Sequence, residues 1–439
     1  MTTTLEPIPL QTGPADTRPV TTPGVVRPMV LRLAVGMAGL AMVFQPILHP
    51  TGPGNSSPVD LFTAGTVVLT ALWAATSGRR LGAPYVLGVA LMALGGTLGG
   101  LNGPLPGTSL LAIAQDFVLI GWAASVYNLA REPGVLRTLS RVYARAAVGW
   151  AALLVFGSLT GINAIEGIVP REGNRELFTF GDPNYAACYW VVSLFIVFAT
   201  KTPRNPWLRW FGYVVLIWCL VVSESNGGVL ELLVGLGFIA LYTIYRRHGL
   251  MASIALILLI GTAVGTTLTL FPLSKLQTWA LQSNQSYLVN SIGRSGSNGS
   301  AGQRAMLNQE TLQMYGTDGI LGSGPMTTKQ LLYDRQYPYA KEAHDDYIGA
   351  LVERGPLGVI GIVIVVLSAG WKVSRVLRAP PGSGFLAQIP RPVGIVAALL
   401  IMLMAGTYYE VWHFRFEWIL LAFVAVLAST PDGRREVAR

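Results

Sequence analysis

Charge is what this sequence has least of. Of its 439 residues, 12% are Asp, Glu, Lys or Arg and 52% are hydrophobic, whereas a soluble domain is about 25% charged. So few polar side chains cannot cover the surface of a water-soluble protein of this length. Cysteine is almost as scarce. Cys188 and Cys219 both lie inside apolar runs, which excludes a disulfide framework and supplies no metal-ligand spacing, so both read as buried free thiols. The first 27 residues, rich in Thr and Pro, lack the charged-then-apolar layout of a cleavable leader. They read as a disordered tail before a first helix acting as an uncleaved signal. No sequence repeat of the kind many transporters carry is evident. The net charge of +9 is scattered through short breaks between apolar runs, not gathered on one face, so nucleic acid is not an expected partner.

Apolar runs of membrane-crossing length fall near 29–48, 59–77, 84–101, 109–129, 146–163, 184–200, 208–223, 227–245, 252–272, 355–371, 393–409 and 416–429. The breaks alternate in charge. One set holds Arg18 and Arg27; Arg79 and Arg80; Arg131, Arg137, Arg141 and Arg145; Lys201, Arg204 and Arg209; Arg246 and Arg247; Lys372, Arg375, Arg378 and Arg391; and Arg434, Arg435 and Arg439. The positive-inside rule assigns all of these to the cytoplasm and the intervening breaks to the exterior. The expected fold is therefore all-α, a polytopic membrane protein with about twelve spanning helices and both termini cytoplasmic. Its expected divisions are a tail over 1–27, helices over 28–272, a large extracytoplasmic loop with short helices over 273–354, helices over 355–430 and a tail over 431–439. Within that loop the tract Ser291–Gly302 reads as mobile. Gln303–Tyr315 reads as an amphipathic helix whose stripe of Met306, Leu307, Leu312 and Tyr315 would lie on the membrane surface. The doubled Gly95/Gly99 and Gly96/Gly100 spacing predicts a close helix–helix approach.

Three exterior breaks concentrate polar chemistry: 162–183, 273–354 and 410–417. His49, His344 and His413 fall on that side. Histidine's ordinary pKa lies nearest neutrality, so an imidazole can take the proton of a hydroxyl nucleophile. His344 sits in Glu342-Ala343-His344-Asp345-Asp346-Tyr347, where the two aspartates are candidates to orient its ring; a polar helix cap is the plainer alternative. Arg171, Arg175, Arg294, Arg304, Arg335, Arg354 and Arg415 break the rule that exterior loops are poor in arginine. A planar guanidinium suits two-point binding of phosphate. Local salt bridges to Glu172, Glu176, Asp334 and Glu353 are the alternative. Asp116 and Glu231 lie at membrane depth, where a charge is expensive and usually functional; they motivate a competing reading as a proton-coupled transporter or flippase of lipid-linked saccharide.

The stretch from Glu342 through His344, Glu353, Arg354 and Gly355 to Gly358 resembles the signature of the bacterial O-antigen ligase and O-antigen polymerase family. Gly302-Gln303-Arg304, Gly322-Ser323-Gly324-Pro325 and Phe180-Gly181-Asp182-Pro183-Asn184-Tyr185 are similar to further family motifs, so the likeness covers roughly residues 160–370. Two departures stand out: Asp345 replaces the usual Asn after the His, and Ser225-Asn226-Gly227 lacks the Arg of a common Ser-Arg-Gly turn. The resemblance implies an inverting, metal-independent glycosyl transfer without cofactor. The donor would be a saccharide on a polyprenyl diphosphate, and the acceptor a glycan, glycolipid or protein hydroxyl, at the outer face of the cytoplasmic membrane. It implies His344 as the base and Arg304 as the diphosphate contact, with Arg171 and Arg175 as a second clamp. Asp345, Asp346, Asp182, Arg335, His413 and Arg415 complete the candidate site.

Overall fold

A computed structural model describes residues 26–48, 57–168, 175–283, 300–337 and 344–430. The terminal tails, the tract around Ser291, and His49, Arg171 and Arg294 lie outside the described residues. All regular structure among the described residues is helical. In chain order the α-helices are α1 Val26–Val43, α2 Pro58–Ser77, α3 Val86–Asn102, α4 Pro106–Ala130, α5 Val135–Thr160, α6 Asn163–Glu166, α7 Pro183–Thr200 and α8 Pro206–Val222. They continue as α9 Asn226–Leu270, α10 Leu273–Gln282, α11 Ser300–Asp318, α12 Thr328–Asp334, α13 Asp346–Arg378, α14 Val393–Ala405 and α15 Arg415–Leu427.

Six of these, α2, α4, α5, α7, α9 and α13, are long and apolar enough to cross a membrane. Each predicted apolar run overlaps a helix, and the two longest helices break where the sequence changes. In α9 the break is Gly249 (φ 81°), between the runs 227–245 and 252–272. In α13 it is Gly355 (φ 62°), followed by Pro356. Proline removes the amide a continuous helix would need, and the positive φ is one that glycine adopts without strain. The segment 346–354 is thereby set off from the apolar helix that follows.

Burial separates centre from rim. In α7, 89% of the apolar window is buried, against 6% for α9. α7 and α15 run through the middle, while α9 turns Leu233, Leu236 and Leu258 outward, as expected of a lipid-facing helix. The glycine spacing on α3 does what it predicts. A Cβ on Gly99 would lie 2.6 Å from the Glu353 carbonyl oxygen, and one on Gly88 2.5 Å from that of Gly361, so α3 lies directly against the backbone of α13.

The stripe predicted on α11 is corrected. Leu307, Thr311 and Met314 are buried, and Leu307 and Met314 cluster with Leu331 and Leu332 of α12, whereas Met306 is 46% and Leu312 42% exposed. Spacing by four and three residues aligns 307, 311 and 314 on one face. The helix uses that face to cover α12.

Candidate functional site

The described parts of the three polar breaks converge at one end of the helices. α7 begins at Asp182, whose carboxylate accepts hydrogen bonds from the Asn184 and Tyr185 amides at 2.7 and 3.1 Å, with Pro183 in the first turn. This is an ordinary N-cap, yet the same carboxylate also acts electrostatically on the Tyr409 phenol. The His344 ring lies over Tyr409, centroids 5.7 Å apart and planes within 11°. Tyr409 thus joins two predicted residues, Asp182 and His344, from different breaks.

The aspartates after His344 both accept hydrogen bonds from backbone amides. Asp345 caps α13, accepting from the Tyr347 and Ile348 amides at 2.9 and 3.0 Å. Asp346 reaches across to the 406–414 turn, where its carboxylate accepts from the Val411 amide at 2.9 Å and the Trp412 amide at 3.2 Å. Its own amide donates to the Gly406 carbonyl at 2.8 Å. Both carboxylates serve the backbone, and they hold His344 against the tyrosine turn. The capping role gives a physical account of the Asn-to-Asp departure, since Asn and Asp are about equally good N-caps.

Burial pushes the Asp345 carboxyl above its usual range despite the two amide hydrogen bonds. A raised carboxyl pKa means that the charged form is disfavoured in the folded state, so this group's effect worsens as pH rises through it. Asp345→Asn is therefore expected to hold or slightly raise thermal stability at neutral pH, with its difference from the native chain narrowing on acidification. Asp345→Ala, which removes the acceptor, should cost about 1 kcal/mol. Thermal unfolding of the two variants across pH checks both.

Arg304, on α11, is partly buried. Its guanidinium acts electrostatically on the Tyr408 phenol, the neighbour of the tyrosine under His344. Tyr408 also donates to Glu231 Oε1 at 3.1 Å, and that oxygen accepts from the Cys188 thiol at 3.0 Å. Glu231 is therefore a buried member of the site's floor. Arg175 is engaged by protein, its Nε donating to the Ser223 carbonyl at 2.9 Å and its Nη2 to Asn184 Oδ1 at 3.2 Å. Asn184 Oδ1 also accepts from the Ser225 hydroxyl at 2.8 Å. The Ser225 turn that lacks the family's arginine thus still lies beside one, supplied by Arg175.

Other predicted residues have structural duties. Arg415 is gripped by Asp60 of α2, Nε to Oδ1 at 2.7 Å and Nη2 to Oδ2 at 2.5 Å, and its carbonyl accepts from the Trp122 indole. Arg354 pairs with Asp116 at 2.6 Å in a buried position. Both arginines pair with distant acids, and for Arg354 the partner is Asp116 where neighbouring Glu353 was the local alternative. Glu353 accepts instead from the Met326 amide and the Thr328 hydroxyl, at 2.9 and 2.8 Å, tying the Gly322–Pro325 turn to the break at Gly355. His413 is exposed, with its ring edge-on to Tyr185, which itself stacks on Phe414 at 3.7 Å. Arg335 is exposed at the end of α12.

Tyr408 and Tyr409 were not singled out by the sequence, and Asn184 and Ser225 entered only as members of motifs, without a role of their own. An aromatic pair at the end of an apolar run beside a polar cluster was the available signal, but interfacial tyrosines are common enough to make it weak.

A search of curated proteins finds no match. Residues 211–363 match the family model described as O-antigen ligase. That span takes in the Ser225 turn, Arg304, the Gly322–Pro325 turn and the His344 block, and it excludes the motif at Asp182. Over residues 211–363 the chain is similar to the O-antigen ligase family, and the matched stretch includes helices long and apolar enough to cross a membrane.

Proposed function

We propose that the protein transfers a saccharide from a polyprenyl-diphosphate carrier to an acceptor hydroxyl at the outer face of the cytoplasmic membrane. His344 takes the acceptor proton as the oxygen attacks the anomeric carbon. The bond from that carbon to the diphosphate oxygen breaks in the same displacement, inverting the centre. The departing prenyl diphosphate gains negative charge, and Arg304 holds it. Arg175, with Arg171 near it in sequence, forms the second clamp, Asp182 acts through Tyr409, and no metal enters the steps. With twelve spanning helices and both termini cytoplasmic, as the charge alternation predicts, this end of the bundle would face outward.

The observation that carries the reading is the convergence of His344 and Asp182 on Tyr409, with the Arg304 guanidinium acting on adjacent Tyr408. This supports a base and a phosphate-binding cation, drawn from separate segments, acting near the same pair of tyrosines. The transporter reading loses a motive, because the Asp116 carboxylate is already paired with Arg354.

The test is reconstitution into vesicles with a polyprenyl-diphosphate glycan and candidate acceptors, following release of free prenyl diphosphate. The native protein should release it in step with acceptor glycosylation. Arg304→Ala should be slower by about a hundredfold or more. Arg304→Lys should recover part of that, since a point charge cannot bind two oxygens as guanidinium does. Movement of the intact lipid-linked glycan across the bilayer without its cleavage would establish transport instead.

A further inference from the structure

A second polar feature lies at the opposite end of the same helices. α9 begins at Asn226 beside Tyr408 and reaches Arg246 and Arg247 about 30 Å further along its axis, the thickness of a bilayer core. α13 runs from the His344 end to Val376 and Leu377, and α14 starts at Val393 and returns. Between these far ends and the 379–392 connection is a cavity of about 430 Å³.

Its lining combines two chemistries. Arg246 and Arg247 supply two cations, and no carboxylate is among the lining residues. Leu377, Leu386, Ile389 and Val393 supply an apolar wall. The walls are fixed in place: Tyr242 donates to the Leu377 carbonyl at 3.2 Å, Arg137 of α5 donates to the Ala387 and Gln388 carbonyls at 3.4 Å, and the Arg391 amide donates to the Ala199 carbonyl at 2.9 Å. A preformed concave site with a few charged groups on an apolar lining is what binds a small amphiphile. Arginine pairs without acid partners favour a phosphate oxyanion, which the planar guanidinium can hold in two places.

Location decides between a soluble anion and a lipid. α9 is the least buried of the six membrane-crossing candidates, its leucines turned outward, and Tyr245, one residue from Arg246, is 51% exposed. An amphipathic ring at that position marks a membrane interface. A molecule reaching the cavity from the side would arrive from the bilayer, with its acyl chains along the outer face of α9 and its phosphate at the arginines.

We propose that this cavity is a binding site for the phosphodiester headgroup of an anionic phospholipid, separate from the site at His344. Full-length protein is reconstituted into phosphatidylcholine vesicles with and without phosphatidylglycerol, and bound lipid and thermal unfolding are measured. Phosphatidylglycerol should be enriched on the native protein and raise its unfolding temperature. Arg246→Gln and Arg247→Gln should each weaken that affinity about fivefold, and together roughly twenty-five-fold. Both side chains are exposed, so the variants should fold; unfolding in phosphatidylcholine alone verifies that. The charge-matched control Arg80→Gln/Arg145→Gln, also at exposed positions, should retain the enrichment. Equal loss in the control would overturn the site in favour of diffuse surface charge. The same stabilisation by soluble glycerol phosphate in phosphatidylcholine vesicles would overturn the lipid and leave a free-phosphate site. Unchanged enrichment in the double variant would overturn both.

Discussion

Replacing His344 by alanine is expected to lower glycan transfer by about two to four orders of magnitude, the usual contribution of a positioned general base. The protein should still enter the membrane and keep its thermal transition, because the segment is anchored by its neighbours. Asp345 caps α13 and Asp346 binds the Val411 and Trp412 amides, neither through the imidazole. A companion change sharpens the reading. Tyr409→Phe keeps the aromatic face under His344 but removes the hydroxyl on which Asp182 acts. If Tyr409 positions the base, this variant loses rate with little change in donor KM, whereas Arg304→Ala raises donor KM as well. Transfer by His344→Ala within tenfold of the native rate, at matched membrane levels, would remove the imidazole from the mechanism.

Asp116→Asn is expected to destabilise the fold severely without first touching the chemistry. The Arg354 and Asp116 side chains are 10% and 13% exposed, and removing one partner leaves a buried guanidinium without its counter-charge. Breaking such a pair typically costs about 3–5 kcal/mol. The damage would fall where α3, α4 and α13 meet, beside the Glu353–Gly355 break on which the Gly322–Pro325 turn is tied. The variant should show a depressed unfolding temperature and low membrane yield. The double change Asp116→Leu/Arg354→Met should recover much of both, since replacing a buried ion pair by apolar side chains of similar size is often neutral or stabilising. A proton-coupled transporter predicts the reverse for Asp116→Asn: normal yield with abolished flux. Normal stability would therefore sink the structural assignment of this pair.

Both experiments bear on how far the candidate site could be read in advance. The His344 block could be located because its signals are local: a polar cluster, then a glycine and proline that break α13 at 355–356, then an apolar run. The capping roles of Asp182, Ser225 and Asp345 are equally local, each side chain accepting from amides two or three residues on. The partners of the exterior arginines could not be read. Nearby glutamates were the reasonable candidates, yet Arg354 answers an acid 238 positions away and Arg415 one 355 positions away. Nothing in the spacing of either arginine encodes that. The α11 stripe failed for a related reason. Apolar residues lie on more than one face of that helix, and the face it uses is chosen by α12.

The sequence by itself determined that the chain is helical and membrane-embedded, where its helices break, and which exterior segments carry polar chemistry. Hydropathy, proline and glycine sterics, and capping all act over a few residues, so one strand of text is enough to express them. Tertiary structure alone decided that Tyr409 underlies His344, that Asp182 acts on the same ring, and that Arg354 and Arg415 are held by acids of distant helices. Those pairings depend on which helices become neighbours, and that follows from close backbone approach and burial summed over the whole bundle.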